Sequence, residues 1–465
     1  MMTSSTGQRS PSIVLRVPIA LEEAIYLAVA RHQSGRLDEA EQIYRDVLAA
    51  APQHPDALHF LGVLKHQRGD AAVAIELIRQ AITITPAHAD AHNNLGNVLR
   101  EAGKPEEARD AYERALELNS AHVPALSNLG LVLRSLGHWE AAIASLERAR
   151  ALAPQDPNVL VNLGNVYRQR KRFSDAVVLF REAIAARPYD GEAYRCLAFT
   201  LYAMNERSEA VTLLQQWLTV DPDNPTARHL IAAYTEQDLP DRASDPYVRQ
   251  IFDSFAPSFD AVLGGLAYRA PQLVAERVAA LLGPAEANLV VLDAGCGTGL
   301  CAPLVKPFAR RLVGVDLSPG MLERARLTGL YDELVEDELT AFLGARDRAF
   351  DLIISADTFC YFGALPPLFR AAAQALRPGG RLVFTLERAE EEVTDRTFVL
   401  NIHGRYAHTD AVVREALGAA GFGEVSIATG ILRKERLDDV AGLIVWARRA
   451  ESNRSRLEHK SAWRD

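Results

Sequence analysis

Cysteine is scarce in this chain, with four among 465 residues: Cys196, Cys296, Cys301 and Cys360, widely scattered and without a CxxC pair. That spacing indicates neither a disulfide framework nor a metal site, and it points to a reducing, cytoplasmic setting. Long apolar runs are missing too: no stretch approaches the roughly 18 unbroken residues of a membrane helix, so no membrane partner is expected. A short apolar patch at Ile13 to Leu15 is broken by Arg16, Pro18, Glu22 and Glu23 before a secretion signal could form. No run of five or six Lys or Arg occurs, and the formal charge is −9. A surface that tracks a nucleic-acid backbone is therefore not expected. HExxH, P-loop and GxSxG elements are also absent.

What is present is an ordinary globular composition, 48% apolar and 24% charged, in a chain long enough for two or three folding units. The first half is periodic. Blocks beginning at Leu21, Pro55, Ala89, Val123, Pro157 and Gly191 follow one another every 34 residues. Leu27, Leu61, Leu95, Leu129, Leu163 and Leu197 hold the seventh place, each followed by Ala or Gly, where small side chains let helices approach closely. The twentieth place is always Ala, from Ala40 to Ala210. Pro52, Pro86, Pro154, Pro188 and Pro222 close all but one block, where Ser120 stands instead, since proline cannot continue a helix. Gly35, Gly69, Gly103 and Gly137 mark the turn between paired helices, with Lys171 and Asn205 in the later blocks.

This pattern resembles the tetratricopeptide repeat. The resemblance implies an all-α superhelix over 21–238, six repeats and a partial seventh, after a disordered leader at 1–20. Stacking supplies the core that no single helix pair can cover. Asn94, Asn128 and Asn162 stand one repeat apart, just before the repeat leucine. The row is similar to that of the O-linked N-acetylglucosamine transferases, whose pattern implies amide contacts to an extended peptide, so a protein or peptide partner is expected along this groove.

After a polar stretch from Thr235 to Pro246, LVVLDAG, RRLVGVDLS, AFDLIISAD and GGRLVFTLE alternate with helical segments. Such alternation indicates an α/β domain with a mostly parallel sheet, whose ligands bind at the carboxyl strand ends. In LDAGCGTGL, Gly295, Gly297 and Gly299 follow the first strand and open a helix, so backbone amides face an incoming polar or anionic group. Leu300 stands where the dinucleotide fingerprint has its last glycine, which lowers a nicotinamide reading. Asp316 ends the second strand, placed to accept both hydroxyls of a ribose.

LDAGCGTG, GVDLSPGML and LRPGGRLVF together resemble the class I S-adenosylmethionine-dependent methyltransferases over about 246–449, ahead of a disordered tail at 450–465. The resemblance implies a Rossmann-like, seven-stranded sheet and S-adenosyl-L-methionine as cofactor. By it, Asp293, Gly295, Gly297 and Thr298 hold the methionine part and Asp316 the ribose. Leu317 and Met321 flank the adenine, and Glu338 with Leu339 meets its polar edge, with Asp337 as an alternative to Glu338. The combination with FDSFAPSFDAVLGGLAYRAP is similar to a group of predicted tetratricopeptide-containing methyltransferases, in which Phe255, Phe259 and Tyr268 form a lid over the cofactor.

Methyl transfer rests largely on holding acceptor and methyl group in line. An acceptor that carries a proton also needs a base. Asp357 follows the fourth strand, and His403 and His408 follow the fifth, so these three are the catalytic candidates. The expected function is a methyltransferase whose repeats recruit or orient a partner. The alternative is a non-catalytic scaffold that only binds the cofactor.

Overall fold

The computed structural model describes residues 21–451 apart from 257–258, 391–395 and 436–437, so the expected leader and nearly all of the expected tail lie outside it. The chain divides into two units, 1–166 and 167–465. The polar stretch at 235–246 is not that division, which falls inside the fifth repeat.

In the first unit the helices are α1 (Leu21–Gln33), α2 (Leu37–Ala50), α3 (Pro55–Gln67), α4 (Ala71–Ile84), α5 (Ala89–Glu101), α6 (Pro105–Leu118), α7 (Val123–Ser135), α8 (Trp139–Leu152) and the start of α9 (Pro157–Gln169). Each block therefore folds as one helix pair. First helices are capped from the residue just before them: the Nδ1 atoms of His54, His88 and His122 accept from the amides of Ala57, Ala91 and Ala125. The turn at Gly103 is left-handed, φ +73°. The repeat alanines Ala40, Ala74, Ala108 and Ala142 are fully buried. A Cβ added to Gly96 would lie 2.5 Å from the Tyr112 ring, and one on Gly130 would lie 2.5 Å from Leu146. The glycines are thus a condition of helix contact.

The asparagine row runs through this unit as a ladder. Asn128 Nδ2 donates to Asn93 Oδ1 (3.1 Å) and Asn97 Oδ1 (3.0 Å), and Asn162 Nδ2 donates to Ser127 Oγ (3.1 Å). Asn94 Nδ2 donates to His59 Nε2 (2.9 Å). Three of these bonds join the sixth place of one block to the fifth place of the block before, the bond to Asn97 reaches the ninth place, and the amide nitrogens are engaged within the array.

The second unit holds α10 (Phe173–Ala186), α11 (Gly191–Ala203), α12 (Arg207–Val220) and α13 (Pro225–Thr235), the last of the repeat helices. Lys171 and Asn205 turn left-handed, φ 60° and 66°, as the glycines do elsewhere. A strap at 236–244 leads to α14 (Asp245–Phe255), α15 (Phe259–Gly265) and α16 (Ala270–Leu282).

Next come β1 (Leu289–Ala294), α17 (Ala302–Val305), β2 (Ala309–Asp316), α18 (Pro319–Leu327), β3 (Glu333–Glu336), α19 (Leu339–Gly344), β4 (Phe350–Ser355), α20 (Leu365–Ala375) and β5 (Leu376–Arg388). The chain ends with β6 (Val399–Leu400), β7 (Tyr406–His408), α21 (Asp410–Ala419), β8 (Phe422–Glu435) and β9 (Asp438–Arg449). The order β3-β2-β1-β4-β5 is parallel, β9 pairs antiparallel with β5, and β8 pairs with β9. These seven strands are the expected sheet. The short β6–β7 ribbon adds two more on β5.

Alternate residues along each strand serve opposite faces. Leu292, Ile353 and Phe384 join one buried cluster with residues of α19, α20 and α21, while Val291, Leu352 and Val383 join another with α16 and α17. The strap is paired to the sheet domain: Ala243 N donates to Tyr361 O (2.8 Å), and the amides of Gly363 and Ala364 donate to Asp241 O (2.8 and 2.7 Å). The expected linker is thus tied down at Asp241 and Ala243.

Candidate active site

At the carboxyl ends of β1, β2 and β4 the second unit encloses a cavity of about 320 Å³. Gly295, Gly297, Thr298, Asp316, Leu317, Glu338 and Leu339 line it, and Tyr268, Phe252, Phe255 and Phe259 cover it. The loop after β1 is shaped by its glycines. Gly295 is left-handed at φ +75°, and a Cβ there would fall 2.2 Å from Thr358 Oγ1. Gly297 also has positive φ, +53°, but a Cβ there would meet nothing within 4 Å. At Gly297, bare main chain faces open space.

Asp316 anchors this loop. Gly297 N donates to its Oδ2 (2.8 Å) and Ser318 N to its Oδ1 (2.9 Å). Burial pushes its pKa above the carboxylate norm, although these amides pull the other way. Glu338 caps α19 through Oε2, which accepts from Ala341 N (2.8 Å), while its buried Oε1 has no hydrogen-bond partner among the described residues. A buried acceptor without a donor is costly. A ligand that presents an N–H there would remove that cost.

Asp293 lies behind the glycine loop and is not on the cavity wall. It is 1% exposed, accepts from Tyr331 OH (2.7 Å), and burial raises it to about 7, with the Asp316 charge adding to the shift and the Tyr331 bond opposing it. Met321 is likewise fully buried in α18 and absent from the lining. Thr298 is held by a 2.6 Å hydrogen bond to Asp260 of α15.

The far side of the cavity is charged. Asp357 sits after β4 in the left-handed region, φ +59°, with its amide on Thr385 Oγ1 (2.9 Å) and its Oδ2 on Arg433 Nη1 (2.6 Å). Arg433 also binds Glu387 and, through Nε, Glu435 (2.8 Å). Arg405 binds Glu387 (2.6 Å) and Glu435. Two guanidiniums thus meet three carboxylates. Burial would raise Glu435, but the two arginines outweigh it and bring it down to about 2. Backbone strain at a polar residue beside a cavity commonly accompanies function.

The structure puts neither candidate histidine on the wall. His408 is fully buried, its Nε2 donates to Gly363 O (2.8 Å), and burial lowers it to about 4 despite that bond. His403 lies behind Arg405, with Nε2 3.6 Å from Glu387, and is lowered by burial and by Arg405.

With this geometry established, two known families match. Residues 292–384 match the family described as "Methyltransferase domain". The sheet domain is a class I methyltransferase domain. Residues 14–228 match "Cilia and flagella-associated protein 70 C-terminal domain", and the helical half is a tetratricopeptide-repeat array. The human protein "Methyltransferase-like protein 27" is 44% identical over 141 residues, covering 29% of this chain and 55% of that one. "Malonyl-[acyl-carrier protein] O-methyltransferase" of Priestia megaterium is 29% identical over 145 residues, covering 30% of this chain and 50% of that one. The chain thus spans about half the length of these curated relatives. Among solved structures, that of MamA is 26% identical, with a TM-score of 0.32, and covers 35% of this chain and 95% of that one.

Sequence reasoning missed Tyr331, Arg405, Arg433, Glu387 and Glu435. Arg433 is aimed inward by a bulge: the β8–β9 register shifts between Ile431 and Arg433, so Leu432 and Arg433 are both buried in succession. No local motif in the methyltransferase sequence announces that bulge.

Proposed function

We propose that the methyltransferase domain binds S-adenosylmethionine in this cavity and moves its methyl group to an acceptor, while the array engages a protein or peptide partner in a cytoplasmic setting. The observation that carries the reading is the open space over the Gly297 main chain, with the Asp316 carboxylate and the partnerless Glu338 Oε1 on the same wall. These groups fit a ligand with a ribose diol and a donor-bearing base. Bound there, the cofactor would supply an electrophilic methyl group on a sulfonium.

The chain's own residues would do the rest. Gly295 to Thr298 present a main chain without side chains, Asp316 holds the sugar, and Glu338 accepts from the base edge. Phe252, Phe255 and Phe259 exclude water, and the three rings pack edge to face. Asp357 stands on the opposite wall, and its Oδ1 has no nearer partner among the described residues than the Cys360 thiol, 3.8 Å away. In this reading it accepts a hydrogen bond from the acceptor and orients it, and positioning supplies most of the rate. Among the described residues no helix is long and apolar enough to cross a membrane.

Calorimetry with S-adenosylhomocysteine tests the site: wild type binds, and Asp316→Ala binds at least tenfold more weakly. Incubation with methyl-labelled cofactor and a lysate tests turnover. Label on a defined acceptor is the expected result. Tight binding with no transfer would leave a scaffold.

A further inference from the structure

The last repeat helix touches, through one side chain, two segments that adjoin the methyltransferase cavity. His229 of α13 is 5% exposed. Its Nε2 lies 2.9 Å from Gly404 O, and because a carbonyl only accepts, this nitrogen carries the proton. The same ring stacks on Tyr247 at 4.1 Å between centroids. Gly404 is left-handed at φ +86°, and a Cβ on it would fall 2.0 Å from the Tyr247 hydroxyl, so ring and loop close on each other without slack.

Each contact leads into the cavity. Gly404 directly precedes Arg405, which lines the wall and binds Glu387 and Glu435. Tyr247 lies in the first turn of α14, whose Phe252 and Phe255 cover the cavity. The other end of α14 is fixed on the cofactor side: Asp253 Oδ1 accepts from Ser318 Oγ (2.5 Å) and Gly320 N (3.2 Å), and Ser318 N in turn binds Asp316. The covering helix is therefore held at its start by the repeat array and at its end by the ribose loop. A second α13–α14 tie, Thr226 Oγ1 to Gln250 Oε1 (3.2 Å), runs alongside.

We infer that His229 is a positioning residue of the methyltransferase site: the repeat array, through this imidazole, sets the closed position of α14 over the bound cofactor and the orientation of Arg405 behind it. The inference rests on the cofactor reading above. Loss of the ring would free the first turn of α14, and the ligand would leave faster without any change in the groups that touch it.

The test uses the full chain as wild type, His229→Ala and His229→Gln, with Gly96→Ala in the first unit as a control for generally lowered stability. Calorimetry with S-adenosylhomocysteine and hydrogen exchange of the α14 amides are both read. Expected are roughly tenfold weaker binding and faster α14 exchange in H229A, substantial recovery in H229Q, whose amide nitrogen still reaches Gly404 O, and wild-type affinity in G96A. Binding by H229A within twofold of wild type, or equal weakening in G96A, overturns the inference while leaving the cofactor reading intact. Absence of any binding by the wild type overturns both.

Discussion

Asn128 in the array and Arg433 in the methyltransferase domain are both polar side chains set among apolar neighbours, and they are satisfied differently. Asn128 gives two neutral hydrogen bonds to Asn93 and Asn97, the second of which also accepts from Tyr112 OH (2.8 Å). Arg433 is 2% exposed and binds three carboxylates, one after β4, one in β5 and one in β8. A neutral rung adds about 1 kcal/mol, and its loss is local. A buried charged cluster adds little over an apolar core but cannot lose one member without stranding the others. Repetition makes the array tolerant, and interlocking makes the methyltransferase domain brittle.

The largest expected effect tests the brittle side. Arg433→Met leaves three carboxylates facing Arg405 alone and should cost the second unit about 3 to 5 kcal/mol, read from urea denaturation, with the first unit's transition unmoved. If the loss were under about 1 kcal/mol, the cluster would be no more than a surface-like network.

Next in size is the response to acid. His59 in the array and His408 in the methyltransferase domain are both lowered to about 4, in each case first by burial. A histidine held neutral in the fold contributes stability that is complete above its ordinary value and is lost as pH falls toward 4, because only the unfolded chain takes up the proton. Each should contribute about 3 kcal/mol to that loss. Asp293, raised to about 7, has the opposite sign: its contribution is complete at low pH and is lost as pH rises from about 4 to 7. Urea midpoints between pH 7 and 4.5 should therefore fall less steeply in H59Q and H408Q, and more steeply in D293N. Parallel profiles for all four proteins would refute the assignment.

Gly96→Ala should follow, at about 1 to 3 kcal/mol from overpacking against Tyr112, seen as a lowered thermal midpoint of the first unit. The smallest effect belongs to Asn128→Ala, about 1 kcal/mol. An N128A loss as large as that of R433M would erase the contrast between the two halves.

The repeats and the glycine loop were legible because their constraints are local or periodic. A proline that stops a helix, an alanine at a helix contact and a glycine in an open turn each act within a few residues of chain. The same is true of Asp316 and Glu338, which the strand ends carry to the cavity. The charged wall was not legible. Glu387 and Arg433 are 46 residues apart, joined by β9 lying between their strands and by a bulge that no composition rule reveals. Asp293 and Met321 are tied to the cofactor by motif position, whereas in the fold both are buried, Asp293 behind the glycine loop and Met321 within α18, and neither lines the cavity. The two histidines were placed at the mouth by chain order alone, and the β6–β7 ribbon folds them inward.

The ladder of the array has a bearing on how such a chain can vary in length. Because the rungs from Asn94, Asn128 and Asn162 to the fifth place each span 35 residues, excising the block at 89–122 would set Asn128 against His59, and excising that at 123–156 would set Asn162 against Asn93, so that each amide finds an equivalent partner one storey down. Duplication works in the same way. The number of storeys can therefore change in single whole steps while the methyltransferase domain stays as it is.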